Sequence, residues 1–417
     1  MLVETHCRER MAADLGCVTE ALHAYAEATG REPLMLGGWE VEDTEIGPPA
    51  SLLEQALAIQ PRPGRYAYSK DFCRAKARAA EVFADGVRFV GAPLRPEQVT
   101  VLQNSSQGLL LALTALREQG VRRAVVAAPV YFAAVQVCRH LGLEVEVTPA
   151  ADFFTGALDV DRLIGALGQG PSVLIVTNPA YSLGVEYSTS QLQRLFAALP
   201  GRAWLLLDET RLGLPWRDDL PWYRGDFPAR TLALRSPSKI FLLNGLKTSF
   251  LFGPAKLLRE VERLSESLVG SGAGNAEALA LAYLNAWHGW MREYEDGRVG
   301  PMRAWKRALV ARLHGHYKAV QPLLAEYGFR LSPVDSGPYA LAGTERERLP
   351  GLDSVAIARA QGVLLMTSEY FSHQSEDWQG FRLHLCGNAW RARTAITRVL
   401  SSRYAGSVSD YAALLHR

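Results

Sequence analysis

Cysteine is scarce in this chain and never paired. Five are present, Cys7, Cys17, Cys73, Cys138 and Cys386, with no Cys-x-x-Cys spacing among them. An odd, dispersed set argues against a zinc-ligand pattern and a disulfide framework. It reads as reduced thiols in a cytoplasmic protein with no metal site. Long hydrophobic runs are missing too, none reaching the roughly 18 residues that span a bilayer. Met1-Leu2-Val3-Glu4 leads into further acids and a histidine, not a signal-peptide core. Charge of one sign is not in excess: 45 basic against 43 acidic residues leave a net charge of +2. That balance argues against nucleic acid or a membrane surface as a partner. The pair Arg122-Arg123 reads as a solvated loop, and no internal repeat or low-complexity segment is visible.

What is present is length and alternation. A chain of 417 residues is long for a single core and predicts two packed domains. Short apolar runs at 99–102, 124–127, 145–147, 173–176, 205–207, 232–234 and 249–252 read as strands. They are interleaved with helical stretches, which predicts an α/β fold around a mostly parallel, doubly covered sheet. Before them, Met11, Leu15, Val18, Leu22 and Tyr25 recur at helical spacing over 8–29, and Gly30 and Pro33 end that helix. Further helices are expected over 51–59, behind Pro48-Pro49, and over 71–83. A long helical stretch over 302–327 links to a second part. There, runs at 337–341, 362–365 and 381–385 with a helix over 392–400 predict a smaller α+β domain.

The chemistry concentrates between residues 203 and 254. The apolar run Ala203-Trp204-Leu205-Leu206-Leu207 stops at Asp208-Glu209, and Thr231-Leu232-Ala233-Leu234 leads into Ser236-Pro237-Ser238-Lys239. In a buried parallel sheet, polar groups collect at the carboxyl ends of strands, where open α/β folds place their ligand crevice. A partly desolvated lysine there becomes nucleophilic toward an aldehyde. An aspartate beside it suits the pyridine nitrogen of pyridoxal phosphate. The competing readings are a surface lysine at a strand end and an aspartate that caps a helix. Upstream, Val99–Leu102 precedes Asn104-Ser105-Ser106-Gln107-Gly108 and an apolar helix, an arrangement that aims N–H groups at an anion. Alone, such a turn is a simple N-cap.

These stretches, LLLDETRLG, SPSKIFLLNGLKTSFLFGP, NSSQG, APVYF, TNPAYSLG and FRLHLCGN, stand in consistent order over roughly residues 34 to 400. Together they resemble the fold-type I pyridoxal-phosphate enzymes, and more closely their class I/II aminotransferase-like group. The resemblance implies a seven-stranded sheet, its last strand antiparallel, in a large domain over 51–305. A smaller domain would span 306–417, with 1–50 as an N-terminal arm and part of that domain. It implies Lys239 as the imine-forming lysine, Asp208 as the partner of the ring nitrogen and Tyr131 as the ring that stacks on the cofactor. It places Asn104, Ser105, Ser106, Ser236 and Ser238 on the phosphate side. Tyr66 or Tyr68, in the extended loop before the 71–83 helix, would reach the phosphate of a partner subunit in a homodimer, or simply pack at the interface. Arg382 would pair the substrate's α-carboxylate as a bidentate guanidinium, although in a strand it could equally face solvent. The turn Leu36-Gly37-Gly38-Trp39 would bring Gly38 near that carboxylate, or be an ordinary turn.

Three positions depart from the family pattern. Tyr181 stands where an asparagine is usual, Arg211 where a tyrosine is usual, and Lys247 where a phosphate-binding arginine is usual. Tyr181 and Arg211 would then flank the phenolic oxygen of the cofactor, the guanidinium adding a fixed charge there. The implied activity is amino transfer from an amino acid, through its α-carboxylate, to a keto-acid acceptor. Cyclisation, oxidation, decarboxylation or elimination on the same fold is the alternative. A ligand-sensing regulator is disfavoured, since the N-terminal segment is too short and not basic enough for an appended DNA-binding helix-turn-helix.

Overall fold

The computed structural model describes residues 2–37, 46–60, 64, 66–84, 86–153, 155–168, 170–211, 214–218, 225–345, 352–371 and 378–404. Its centre is a seven-stranded sheet in the order Val99–Leu102, Ser249–Phe252, Thr231–Arg235, Trp204–Glu209, Ser172–Thr177, Arg123–Ala128, Glu144–Pro149. All the apolar runs in the first part of the chain became its strands. Ser249–Phe252 is antiparallel to both of its neighbours, as expected. The pairs Thr231–Arg235 with Trp204–Glu209, Trp204–Glu209 with Ser172–Thr177, and Arg123–Ala128 with its two neighbours are parallel.

Strand period explains how this sheet is covered. Successive side chains alternate between faces, so a strand buried on both sides needs an unbroken apolar run. Leu206, Ile175, Val126 and Leu234 pack on one side against Leu109, Leu113, Val135 and Val261. Those residues belong to the helices Ser105–Glu118, Phe132–His140 and Ala255–Leu264. Leu205, Leu207, Leu174 and Val125 face the other way, toward a core that includes Ala79, Phe83, Leu163, Leu192 and Tyr283. The outer strand Glu144–Pro149 has a more exposed pattern, as an edge requires.

One long helix was not read from the sequence. Ala276–Glu295 buries Leu279, Tyr283, Trp287 and Trp290, a helical spacing visible in hindsight. Trp287 meets Phe83 edge-on at 5.3 Å. Removing a side chain this large from a core costs about 3–5 kcal/mol.

A second, antiparallel sheet runs Arg330–Leu331, Tyr339–Glu345, Trp378–His384, Met366–Thr367. The helix Pro301–Glu326 precedes it and the helix Ala389–Tyr404 follows it. The N-terminus belongs with this part: Leu34–Met35 pairs in parallel with Val363–Leu364. Val18 and Leu22 of the first helix, Leu2–Thr29, share a core with Ala358, Met366 and Phe371. Among the described residues no helix is long and apolar enough to cross a membrane.

Candidate active site

Asp208 and Glu209 end one strand and Arg235 ends the next, with Asp208 in register with Leu234 and Glu209 with Arg235. Alternation sends these neighbours to opposite faces. Glu209 and Arg235 go to the face that carries Phe83 and Phe252, where they form a fully buried salt bridge of 2.7 Å. The Arg235 guanidinium lies 5.2 Å from the Phe83 ring centre and 5.6 Å from that of Phe252. Burial pushes the Glu209 carboxyl above its ordinary pKa, and Arg235 opposes that rise.

Asp208 takes the other face. It is buried, and its Oδ1 accepts the Thr210 N–H at 3.0 Å. Past Arg235 the chain turns at Ser236 into the one-turn helix Pro237–Ile240, which carries Lys239. The Lys239 Nζ donates to Ser105 Oγ at 3.3 Å and to Thr210 Oγ1 at 3.5 Å. Burial lowers its pKa to about 8, with Arg211 and then Lys247 adding to the effect and Asp208 opposing it. Asp208 is thus close enough to the amine to act on it electrostatically.

The other predicted side chains assemble around this amine. Asn104 caps its helix, accepting the Gln107 N–H at 2.9 Å, so the capping reading holds for it. The Tyr131 ring centre lies 5.8 Å from the Lys239 Nζ, and its hydroxyl is 3.4 Å from that of Ser106. Ser236 donates to the Thr248 carbonyl at 2.9 Å and sits 3.1 Å from the Ser238 hydroxyl. The Tyr181 ring is 5.6 Å from Tyr131 and 5.3 Å from Phe371. Burial pushes the Tyr181 phenol up to about 12, with Arg211 and Arg382 opposing. The Arg211 guanidinium lies 4.9 Å from the Tyr181 ring centre and 4.1 Å from that of Tyr339.

One cavity of about 1010 Å³ joins them. Ser105, Ser106, Tyr131, Tyr181 and Arg211 line it, as do Asn104, Ser236, Ser238, Lys239 and Lys247. Arg382 does not. Its guanidinium is fully buried and donates to the Gly37 carbonyl from Nε at 3.2 Å and Nη2 at 2.5 Å. It is screened by the rings of Tyr339 at 4.5 Å and Phe371 at 5.1 Å. Arg382 thus faces neither solvent nor the cavity. Tyr66 and Tyr68 lie off the cavity as well; Tyr66 borders a separate hollow of about 310 Å³. Gly38 lies outside the described residues. The sequence reading missed Tyr339, which lines the cavity and lies against the Arg382 guanidinium at 4.5 Å. Its signal was the Gly337-Pro338 turn at the mouth of a strand.

The family model of class I and II aminotransferases matches residues 64–388. The chain belongs to that family. Two curated relatives, histidinol-phosphate aminotransferases of Yersinia pseudotuberculosis serotype IB (strain PB1/+) and Yersinia pestis (strain Pestoides F), are each 28% identical over 169 residues. The match takes in 40% of this chain and 43% of either relative, less than half of their length. An aspartate aminotransferase mutant of Thermus thermophilus superposes with a TM-score of 0.73 at 18% identity, over 93% of this chain and 95% of that one. The N-succinyldiaminopimelate aminotransferase of Mycobacterium tuberculosis gives 0.71 at 21% identity, over 92% and 96%. These likenesses carry the fold of the aminotransferases.

The family is pyridoxal-phosphate dependent, and the donor set here fits that group. A depressed lysine amine, an aromatic ring and hydroxyls at a helix N-terminus meet in one hollow, and the buried Asp208 carboxylate acts on the amine without lining it. The buried Nε of Arg211, moreover, has no hydrogen-bond partner among the described residues.

Proposed function

We propose that this protein is a pyridoxal-phosphate-dependent aminotransferase that acts on an amino acid through its α-carboxylate and passes the amino group to a keto acid. The observation that carries the reading is the Lys239 amine, lowered to about 8 within a cavity that also gathers hydroxyls, a stacking ring and the field of Asp208. When bound, the cofactor supplies an electron sink for the substrate's α-carbon. Asp208 would hold the ring nitrogen protonated, and Tyr131 would stack on the ring. Ser105, Ser106, Ser236, Ser238 and Lys247 would take the phosphate, helped by the positive end of the Ser105–Glu118 helix. Tyr181 and Arg211 would hydrogen-bond the phenolic oxygen. Lys239 Nζ, once free, would carry the α-proton, since its pKa lies close to neutrality.

For the α-carboxylate, resemblance assigns Arg382. A second reading is favoured by its screened position: Arg211, which lines the cavity, is the first guanidinium that a carboxylate meets. Five N–H donors allow Arg211 to serve both oxygens. Division of the chain at 50 and 305, a homodimer and a reducing cytoplasm complete the proposal. Supports are the pairing of the N-terminal strand with the second part, the exposure of Tyr66 at 76% and Leu268 at 62%, and unpaired Cys17, Cys73, Cys138 and Cys386.

Borohydride reduction of the holoenzyme followed by peptide mapping tests the core of this reading. The cofactor should map to Lys239, and Lys239→Ala should lose both label and turnover. Label on another lysine would overturn the assignment.

A further inference from the structure

The charged groups of the cavity are few, and each already has a partner in the proposed reaction. Among the described lining residues the cations are Lys239, Lys247 and Arg211, and no carboxylate lines it. Lys239 is the reacting amine, Lys247 serves the phosphate, and Arg211 serves the phenolate or the α-carboxylate. Among the described lining residues of one subunit, no further cation remains for a second carboxylate or a phosphate on the substrate, and no anion for a basic side chain.

Besides its serines, tyrosines and asparagines, the rest of the wall is largely hydrocarbon. Leu53 and Leu57 project from the helix Ala50–Ala58, Leu214 follows the Arg211 turn, and Leu242, Leu243 and Leu246 follow Lys239. Leu57 is 64% exposed and leaves apolar surface open at the edge of the cavity. At about 1010 Å³ the cavity stands at the upper end of small-molecule sites, which run to roughly 1,000 Å³. It has room for a bulky side chain beside the cofactor.

Leu242 adds an independent observation. Its φ is +59°, in the left-handed region that a leucine rarely adopts and glycine enters freely. Such strain persists only where the surroundings hold it, and it collects at ligand sites. Here it sets a leucine in the cavity wall three residues after the reactive lysine.

We propose that the substrate is an amino acid with a bulky apolar side chain, of aliphatic or aromatic type, and that Leu53, Leu57, Leu214, Leu242 and Leu246 are its specificity wall. The inference rests on the aminotransferase reading for the reaction and on the leucines for the choice of substrate. A charged side chain would lose its hydration against these leucines.

Two measurements test it. In single turnovers of the holoenzyme, leucine and phenylalanine should exceed aspartate and histidinol phosphate in kcat/KM by about 100-fold, the scale of a few methylenes in an apolar pocket. Leu242→Gly should leave the melting temperature unchanged or higher, because the backbone relaxes, while cutting that preference about tenfold. Calorimetric titration of the same holoenzyme with 4-methylpentanoate, 3-phenylpropanoate and butanedioate reads the wall without any turnover. The two apolar acids should bind tighter than butanedioate, and Leu242→Gly should narrow the gap. Preference for aspartate, for histidinol phosphate or for butanedioate would overturn the proposal, as would a Leu242→Gly variant with unchanged ratios. If no amino acid reacted at all, the aminotransferase reading would fall while the calorimetric ranking still decided this one.

Discussion

Arg211 is the residue whose charge should be measurable at the reactive amine. Lys239 lies at about 8 against an ordinary 10.5, a fall of 10.5 − 8 = 2.5, caused first by burial and next by Arg211. At pH 7.5 a pKa of about 8 leaves roughly a quarter of the amine as free base, against about 0.1% for an ordinary lysine. A neighbouring unit charge at a protein site shifts a pKa by about one unit. Arg211→Gln should therefore bring Lys239 to about 9, leave about 3% free base at pH 7.5, and slow its reaction with an aldehyde roughly eightfold. The assay uses cofactor-free protein, formaldehyde with cyanoborohydride, and mass spectrometry of the Lys239 peptide across pH. Lys247→Gln should shift the inflection less, since Lys247 contributes least. The same depressed pKa sets a stability slope in the cofactor-free protein. Between pH 10.5 and about 8 the unfolded lysine binds its proton and the folded one does not, so the contribution of Lys239 to stability falls as pH drops through that window. Lys239→Met should remove that contribution, read as the difference between the two proteins' pH profiles of stability. An inflection unmoved by Arg211→Gln, or moved further by Lys247→Gln, would refute the electrostatic account.

Two further outcomes follow from the strand ends. Asp208→Asn should keep its circular dichroism spectrum but lose about 100-fold in turnover, because a neutral amide cannot hold the ring nitrogen protonated; wild-type turnover would remove Asp208 from the mechanism. Arg235→Met should cost about 3–5 kcal/mol in urea unfolding, since it strands Glu209 in a site with 0% exposure for both partners, whereas Glu209→Leu with Arg235→Met should recover most of that loss; a single variant within 1 kcal/mol of wild type would contradict this.

The sheet was legible because a strand covered on both faces leaves an unbroken apolar run, and the polar residues that interrupt such runs mark their carboxyl ends. Asp208 and Lys239 were found that way. The same logic gave no hint that Glu209 and Asp208 diverge, since parity matters only once the neighbouring strand supplies Arg235 in register. Arg382 shows a different limit. Alternation with Leu383 left its face undecided between solvent and site, and the answer came from Tyr339 and Phe371, which close over it from elsewhere in the chain. The helix Ala276–Glu295 was missed for lack of a sharp boundary: it begins at Ala276 without a side-chain cap, and its aromatics read as scattered until Phe83 and Phe241 gather them.

The resemblance marks Tyr181 and Arg211 as departures at two separate places in the sequence, and the fold brings the two side chains together. The guanidinium lies 4.9 Å from the phenol ring, and Tyr339 takes its other contact at 4.1 Å. A buried guanidinium needs faces to lie against and a partner for its N–H groups. The aromatic rings supply the faces, and among the described residues the Nε has no acceptor. Without the ring at position 181, Arg211 would lose one of its two aromatic contacts. Without Arg211, a phenol already held near 12 by burial would lose the cation that most opposes the shift. Each residue makes the other tolerable, so the two substitutions are one structural change, and its effect is a fixed positive charge at the edge of the cavity.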